Sequence, residues 1–123
     1  MPTTSEQELS TALGALKRSH PRITSVVLAS PDGRSVGDPE LAFKNKLMLT
    51  GMCAATIAIL KKGFMDHQLG SVLHAEITGD NGSIVLIPSG PRWVLCVAIQ
   101  GKGGVEMLLP SLIQASSRLD VAA

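Results

Sequence analysis

The stretch Ser71–Gln100, SVLHAEITGDNGSIVLIPSGPRWVLCVAIQ, reads as three strands joined by short turns. From Ser71 to Thr78 the side chains alternate, with Leu73, Ala75 and Ile77 on one face and His74, Glu76 and Thr78 on the other, the pattern of a half-buried strand. Asn81-Gly82 is a hairpin signal favouring a two-residue type I′ turn, which would set Ile77 opposite Leu86. Ser83–Pro88 and Arg92–Gln100 are continuous apolar strands linked by Ser89-Gly90-Pro91. Connections this short join antiparallel neighbours.

Upstream, Ile23–Ala29 (ITSVVLA) is a β-branched run followed by the turn signal Pro31-Asp32-Gly33 and a short strand, Arg34–Val36. Three helical patterns surround these strands. Ser5–Ser19 has Ser5 as N-cap with Glu8 three residues on, a capping-box pattern, and a stripe of Leu9, Ala12, Leu13 and Leu16 that Pro21 ends. A long helix runs from about Glu40 to Phe64 or Met65, with Asp38 as N-cap and Pro39 at N1. A last helix covers about Gly103 to Leu119. The order α-β-β-α-β-β-β-α predicts an α+β domain with a five-stranded antiparallel sheet. Strands 1, 4 and 5 are apolar on both faces and belong in the centre under helices. The short strand 2 and the half-polar strand 3 belong at the edges.

The long helix carries the most apolar run of the chain, Leu47–Leu60 (LMLTGMCAATIAIL), bracketed by Lys44, Lys46, Lys61 and Lys62. A bilayer span needs about 20 apolar residues, so length argues against membrane insertion. A helix apolar most of the way round needs cover on more than one side. At 100° per residue, Leu41, Met48, Met52 and Ile59 point one way with Leu49, Cys53 and Leu60 beside them. Gly51, Ala54, Ala55 and Ala58 occupy a different arc. The bulky arc is assigned to the sheet and the small arc to a second copy of the helix. The reverse stays open, because a helix on a sheet can also need small residues. Met48, Met52 and Met65 are either core filling or an adaptable surface.

Composition bounds the function. At 123 residues, 45% hydrophobic and 17% charged, the chain is one domain, residues 1–123 with a core of about 9–119. Aromatics are scarce, with Phe43, Phe64, Trp93 and no tyrosine, so there is no stacking platform for single-stranded nucleic acid. A net charge of +1 provides no basic stripe for a duplex. The N-terminal MPTTSEQELS lacks the order of a secretory signal. Cys53 and Cys96 lie in apolar segments as reduced, buried thiols. A cytoplasmic protein is expected.

No catalytic arrangement emerges. There is no G-x-S-x-G and no H-E-x-x-H, and His20, His67 and His74 match no zinc spacing. Gly101-Lys102-Gly103-Gly104 precedes a helix but lacks the Walker pattern, and reads as a strand-to-helix turn. The acidic residues are scattered, with no pair suited to acid–base work. No metal or cofactor is expected. Trp93 is either a partner anchor or tucked under a helix end.

These elements resemble the roadblock domain of dynein light chains and of bacterial and archaeal GTPase regulators. The resemblance is carried by ITSVVLASPDGRSVGD, by the alanine-rich GMCAATIAILKKG, and by GSVLHAEITGDNGSIVLIPSGPRWVLCVAIQGKGGVEMLL. It spans roughly Leu9 to Leu119. It implies sheet order 2-1-5-4-3, the long helix on one face and the terminal helices on the other. It further implies a non-catalytic homodimer formed by edge pairing of strand 3 and packing of the long helices. Such a dimer serves as a platform for a small Ras-like GTPase or for a motor or signalling complex. The expected dimer residues are Gly51, Ala54, Ala55, Ala58, Val72, His74 and Glu76. Lys44, Lys46, Met48, Met52, Lys61, Lys62 and Arg34 are candidate partner contacts. Pro110 departs from the pattern and is expected to kink or restart the last helix. The alternative is a small-molecule sensor of similar architecture, against which the lack of clustered polar groups in the apolar segments argues.

Overall fold

In the computed structural model, which describes the backbone of residues 2–122 and the side chains of 6–119, eight elements follow the expected order. They are α1 (Pro2–Ser19), β1 (Ile23–Ala29), β2 (Ser35–Gly37), α2 (Phe43–Asp66), β3 (Ala75–Thr78), β4 (Gly82–Ser89), β5 (Trp93–Gln100) and α3 (Val105–Ala122). The strands form one antiparallel sheet in the order β2-β1-β5-β4-β3. β1, β4 and β5 are the buried centre, and the two short strands are its edges.

Alternation along β1 and β5 feeds two cores. Val26, Leu28, Leu95 and Val97 point to one face, where Leu9 and Leu13 of α1 and Leu112 of α3 cover them. Val27, Ala29, Val94 and Cys96 point to the other, under Cys53 and Ile57 of α2. Each fully buried Val or Leu contributes about 1.5–3 kcal/mol relative to exposure, so both layers are needed to hold the central strands.

Several local expectations are corrected. α1 begins at Pro2, so Ser5 lies inside it and is not its N-cap; proline fits a first turn, where its missing N–H goes unused. α2 begins at Phe43, with Ala42 as an N-cap that makes no side-chain cap bond. Asp38 is instead buried (3% exposed). Its Oδ2 accepts the Val26 N–H at 3.0 Å and its Oδ1 the Glu40 N–H at 3.0 Å. Lys17 of α1 lies 3.5 Å from the same carboxylate. Asp38 therefore joins β1, α1 and the turn before α2. Gly14 lets α1 approach that turn, since a Cβ there would lie 2.8 Å from Pro39 Cδ.

The β3–β4 hairpin also differs. Ile77 pairs with Ile84, and Ala75 with Leu86. The turn is centred on Asp80-Asn81, closed by Gly79 N–H to Gly82 C=O at 2.7 Å. Neither Asn81 nor Gly82 takes the positive φ of a type I′ turn. Gly82 serves close approach instead: a Cβ there would sit 2.5 Å from the Ile99 carbonyl oxygen. The register moves by an even number, so every side chain keeps its face.

β3 starts at Ala75 rather than Ser71. By the register of the hairpin, Leu73 would fall opposite Pro88, which has no N–H to offer a ladder. Pro110 lies inside an uninterrupted α3 and is exposed. α2 is 24 residues long, about 36 Å at 1.5 Å per residue. By length and composition it could cross a membrane, so length does not exclude insertion.

Candidate functional site

α2 presents two unlike faces. Thr50, Cys53 and Ile57 are buried, and Leu49, Met52, Leu60 and Phe64 pack partly against the same core. On the opposite side Lys44, Met48, Gly51, Ala55, Ala58, Ile59 and Lys62 are exposed. Phe43 (69%), Leu47 (52%), Met48 (65%), Ile59 (72%) and Met65 (75%) are large apolar side chains in the open. A Cβ on Gly51 would meet nothing within 4 Å, so this strip is flat as well as apolar.

The expected division of the helix is corrected at two positions. Met48 and Ile59 do not pack on the sheet but flank the Gly51–Ala55–Ala58 strip. Helical geometry explains this: the sheet contact is centred on Cys53, and Met48 and Ile59 fall well over 90° from it. Leu49, Met52, Cys53 and Leu60 do pack inward. Ala54 is half-buried on the flank.

The cationic contacts do not converge. Lys44 and Lys62 border the strip, and Lys62 pairs with Asp66 at 3.2 Å. Lys46 turns toward β2, with its ammonium 5.4 Å from the Phe43 ring centre and its stem beside Gly37. Lys61 lines a groove of about 570 Å³ with Phe64, Met65, Val72 and Pro88. Arg34 is far from any α2 platform: it lies over Trp93, whose ring belongs to the core beneath α1 and α3.

The β3 edge lies at the far side of the sheet from β2, with Ala75 packed against the α2-side core. His74 and Glu76 are exposed, and the Glu76 carboxylate accepts the Thr78 hydroxyl at 2.9 Å. Leu73 (77%) and Ile77 (48%) are exposed beside them. Val72, expected at the dimer interface, does not face the edge. It is 7% exposed and buried in the α2-side core, because the chain before β3 folds inward under Phe64. Sequence periodicity gave no sign of this, since it reads Val72 as one more residue of the strand.

α2 ends in a Schellman motif, with Leu69 N–H to Phe64 C=O at 2.8 Å and Gln68 N–H to Met65 C=O at 3.1 Å. Gln68 supplies the left-handed residue at φ 57°, a role glycine usually takes. This cap aims the chain from α2 toward the edge strand.

Other candidates resolve as structural. Cys53 and Cys96 share the α2-side core. A hydrogen bond with Cys53, together with burial, pushes the Cys96 thiol up from its ordinary range, so it stays protonated. Among the described residues no three His, Cys, Asp or Glu side chains group as metal ligands. At the glycine turn Arg22 donates to the carbonyls of Gln100 and Gly101, both at 2.9 Å. Gly101, Gly103 and Gly104 have positive φ, and a Cβ on Gly104 would lie 2.9 Å from the Arg22 guanidinium.

Comparison with known proteins places the fold. No family model and no curated protein sequence matches the chain. Solved structures do. A roadblock/LC7 domain from Streptomyces avermitilis superposes with a TM-score of 0.77 at 16% identity, covering 92% of each chain. MglB of Myxococcus xanthus gives 0.83 at 14% identity, covering 94% of this chain and 87% of that one. An MglB structure described as having a tetrameric arrangement gives 0.80 at 12% identity, covering 97% and 90%. The chain has the roadblock fold.

Proposed function

We propose that this protein is a non-catalytic, homodimeric regulator or scaffold, with the outer face of α2 and the β3 edge as its working surface. One observation carries the reading: Leu47, Met48 and Ile59 stand exposed around a flat Gly51–Ala55–Ala58 strip of α2. Isolated exposed apolar residues are ordinary, but a contiguous apolar patch of this kind marks an interaction surface. The likeness to structures of the roadblock fold, one of them described as tetrameric, supports self-association.

In the dimer, small residues let two α2 helices approach, and β3 continues the sheet into its partner by main-chain hydrogen bonds. Met48, Ile59 and the lysines Lys44 and Lys62 form the rim available to a third protein. The resemblance to bacterial and archaeal GTPase regulators makes a small Ras-like GTPase in the cytoplasm the proposed partner. A partner GTPase would retain its own catalytic groups, and the dimer would act by holding them in place.

The test is a pull-down with the Ras-like GTPases of the same genome in their GDP and GTP forms, followed by a hydrolysis assay. Nucleotide-dependent capture of one of them is expected. Absence of capture across the set would overturn the GTPase reading.

A further inference from the structure

The groove at the C-terminal end of α2 holds about 570 Å³ between Lys61, Phe64, Met65 and Gln68 on one side and Val72 and Pro88 on the other. Met65 (75%) and Leu69 (62%), at its mouth, are exposed. The N-terminal end of the same helix carries a second exposed apolar pair, Phe43 (69%) and Leu47 (52%). Leu47 and Met65 are eighteen residues apart on one helix, about 27 Å at 1.5 Å per residue. One chain therefore cannot bring its two apolar ends together, and a second α2 can.

Size and charge along α2 both select how that second helix lies. Leu47, Gly51, Ala54, Ala58, Lys61 and Met65 recur at intervals of four and three, the spacing of a coiled-coil seam. The seam has a large apolar residue at each end and alanines in the middle. Turned end for end about its centre, it sets Leu47 against Met65 of the second copy and Ala54 against Ala58. Gly51, where a Cβ would meet nothing, leaves room for the Lys61 stem, and Phe43 comes to Leu69. The charges agree. α2 has no acidic residue in its first turn and no basic residue in its last; Lys44 and Lys46 stand in the first and Asp66 ends the last. That is the reverse of what the helix dipole favours. An antiparallel copy brings Asp66 to Lys44 at both ends, giving each terminus the charge its own chain lacks. A parallel copy would set Lys44 against Lys44 and Asp66 against Asp66.

We infer that the groove at the end of α2 is filled by the N-terminal end of α2 from a second copy, the two helices running antiparallel with Leu47 of each on Met65 of the other. The groove is thus half of a contact made twice, once at each end of the helix pair. The inference rests on the dimer proposed above and adds to it an orientation, a register and the occupant of the groove; it does not depend on any GTPase.

Two substitutions at exposed positions test the register in the full chain. Leu47→Glu and Met65→Lys each place a charge in the apolar contact, and sedimentation equilibrium should show either one weakening the dimer by about tenfold or more. The double variant sets opposite charges face to face at both ends of the helix pair. It should recover most of the lost association at low salt and less at high salt. Within one chain the two positions are too far apart to pair, so recovery reports a contact between copies. Met107→Glu, at an exposed position on α3, should leave association unchanged, and far-UV circular dichroism should be alike for all the variants. Single variants that dimerise like the parent, or a double variant no tighter than the weaker single, would overturn the register and leave the dimer standing. A double variant weaker than both singles would mean that like charges face each other in a parallel pair, and would overturn it too. A parent chain that stays monomeric up to its solubility limit would overturn the dimer and this inference together.

Discussion

Substituting Ala55 with glutamate separates folding from assembly. Ala55 sits at the centre of the exposed α2 strip, between Gly51 and Ala58 and across the helix from buried Cys53. In a single chain the new side chain displaces nothing and points to solvent, so the cost is the helix-propensity difference between alanine and glutamate, about 0.2–0.4 kcal/mol. In the proposed dimer the symmetry places two glutamates against each other in an apolar contact. Leaving a charge buried without a partner costs about 3–5 kcal/mol, which weakens association by well over a hundredfold. Sedimentation velocity across low-micromolar concentrations should then give monomer for Ala55→Glu under conditions where the parent chain dimerises. Far-UV circular dichroism should stay helical and sheet-containing. A variant that dimerises like the parent would refute the α2 contact. One that unfolds even in dilute solution would mean that the strip packs inside the monomer.

Three further outcomes follow from the same geometry. Asp38→Ala leaves the Val26 N–H without its acceptor and Lys17 without the buried one of its two carboxylate partners, so urea unfolding should show a loss of about 3 kcal/mol; a loss under 1 kcal/mol would contradict the joining role of Asp38. Gln68→Gly removes a left-handed conformation from a residue with a Cβ and should stabilise the chain by about 1 kcal/mol, read as a raised thermal midpoint. The thiol of Cys96 is raised in the fold and ordinary in the unfolded chain, so thiolate forms only on unfolding. A disulfide reagent at pH 8 should therefore react slowly with the native protein and rapidly with both thiols in urea; rapid native labelling would contradict the buried pair.

The topology was readable because each strand of the sheet signals its own place. The two-faced apolar runs Val26–Leu28, Ile84–Ile87 and Val94–Val97 can only be central, and the polar alternation of His74, Glu76 and Thr78 can only be an edge. What sequence periodicity could not show was set by tertiary contacts. Asp38 has the chemistry of an N-cap, but the buried Val26 N–H of β1 takes one of its oxygens and the Glu40 N–H the other. Asn81-Gly82 has the chemistry of a type I′ turn, but the close approach of β5 claims the glycine. The α2 strip was visible in the spacing of Gly51, Ala55 and Ala58. The outward turn of Met48 and Ile59 was not, because hydrophobicity alone does not distinguish a side chain facing the sheet from one facing a partner.

The central claim is that the exposed α2 face and the β3 edge are made to be covered by a second copy. Sedimentation equilibrium of the unmodified chain at low micromolar concentration tests it most directly. A species of twice the 12.9 kDa chain mass is expected. A single ideal species at 12.9 kDa would contradict it.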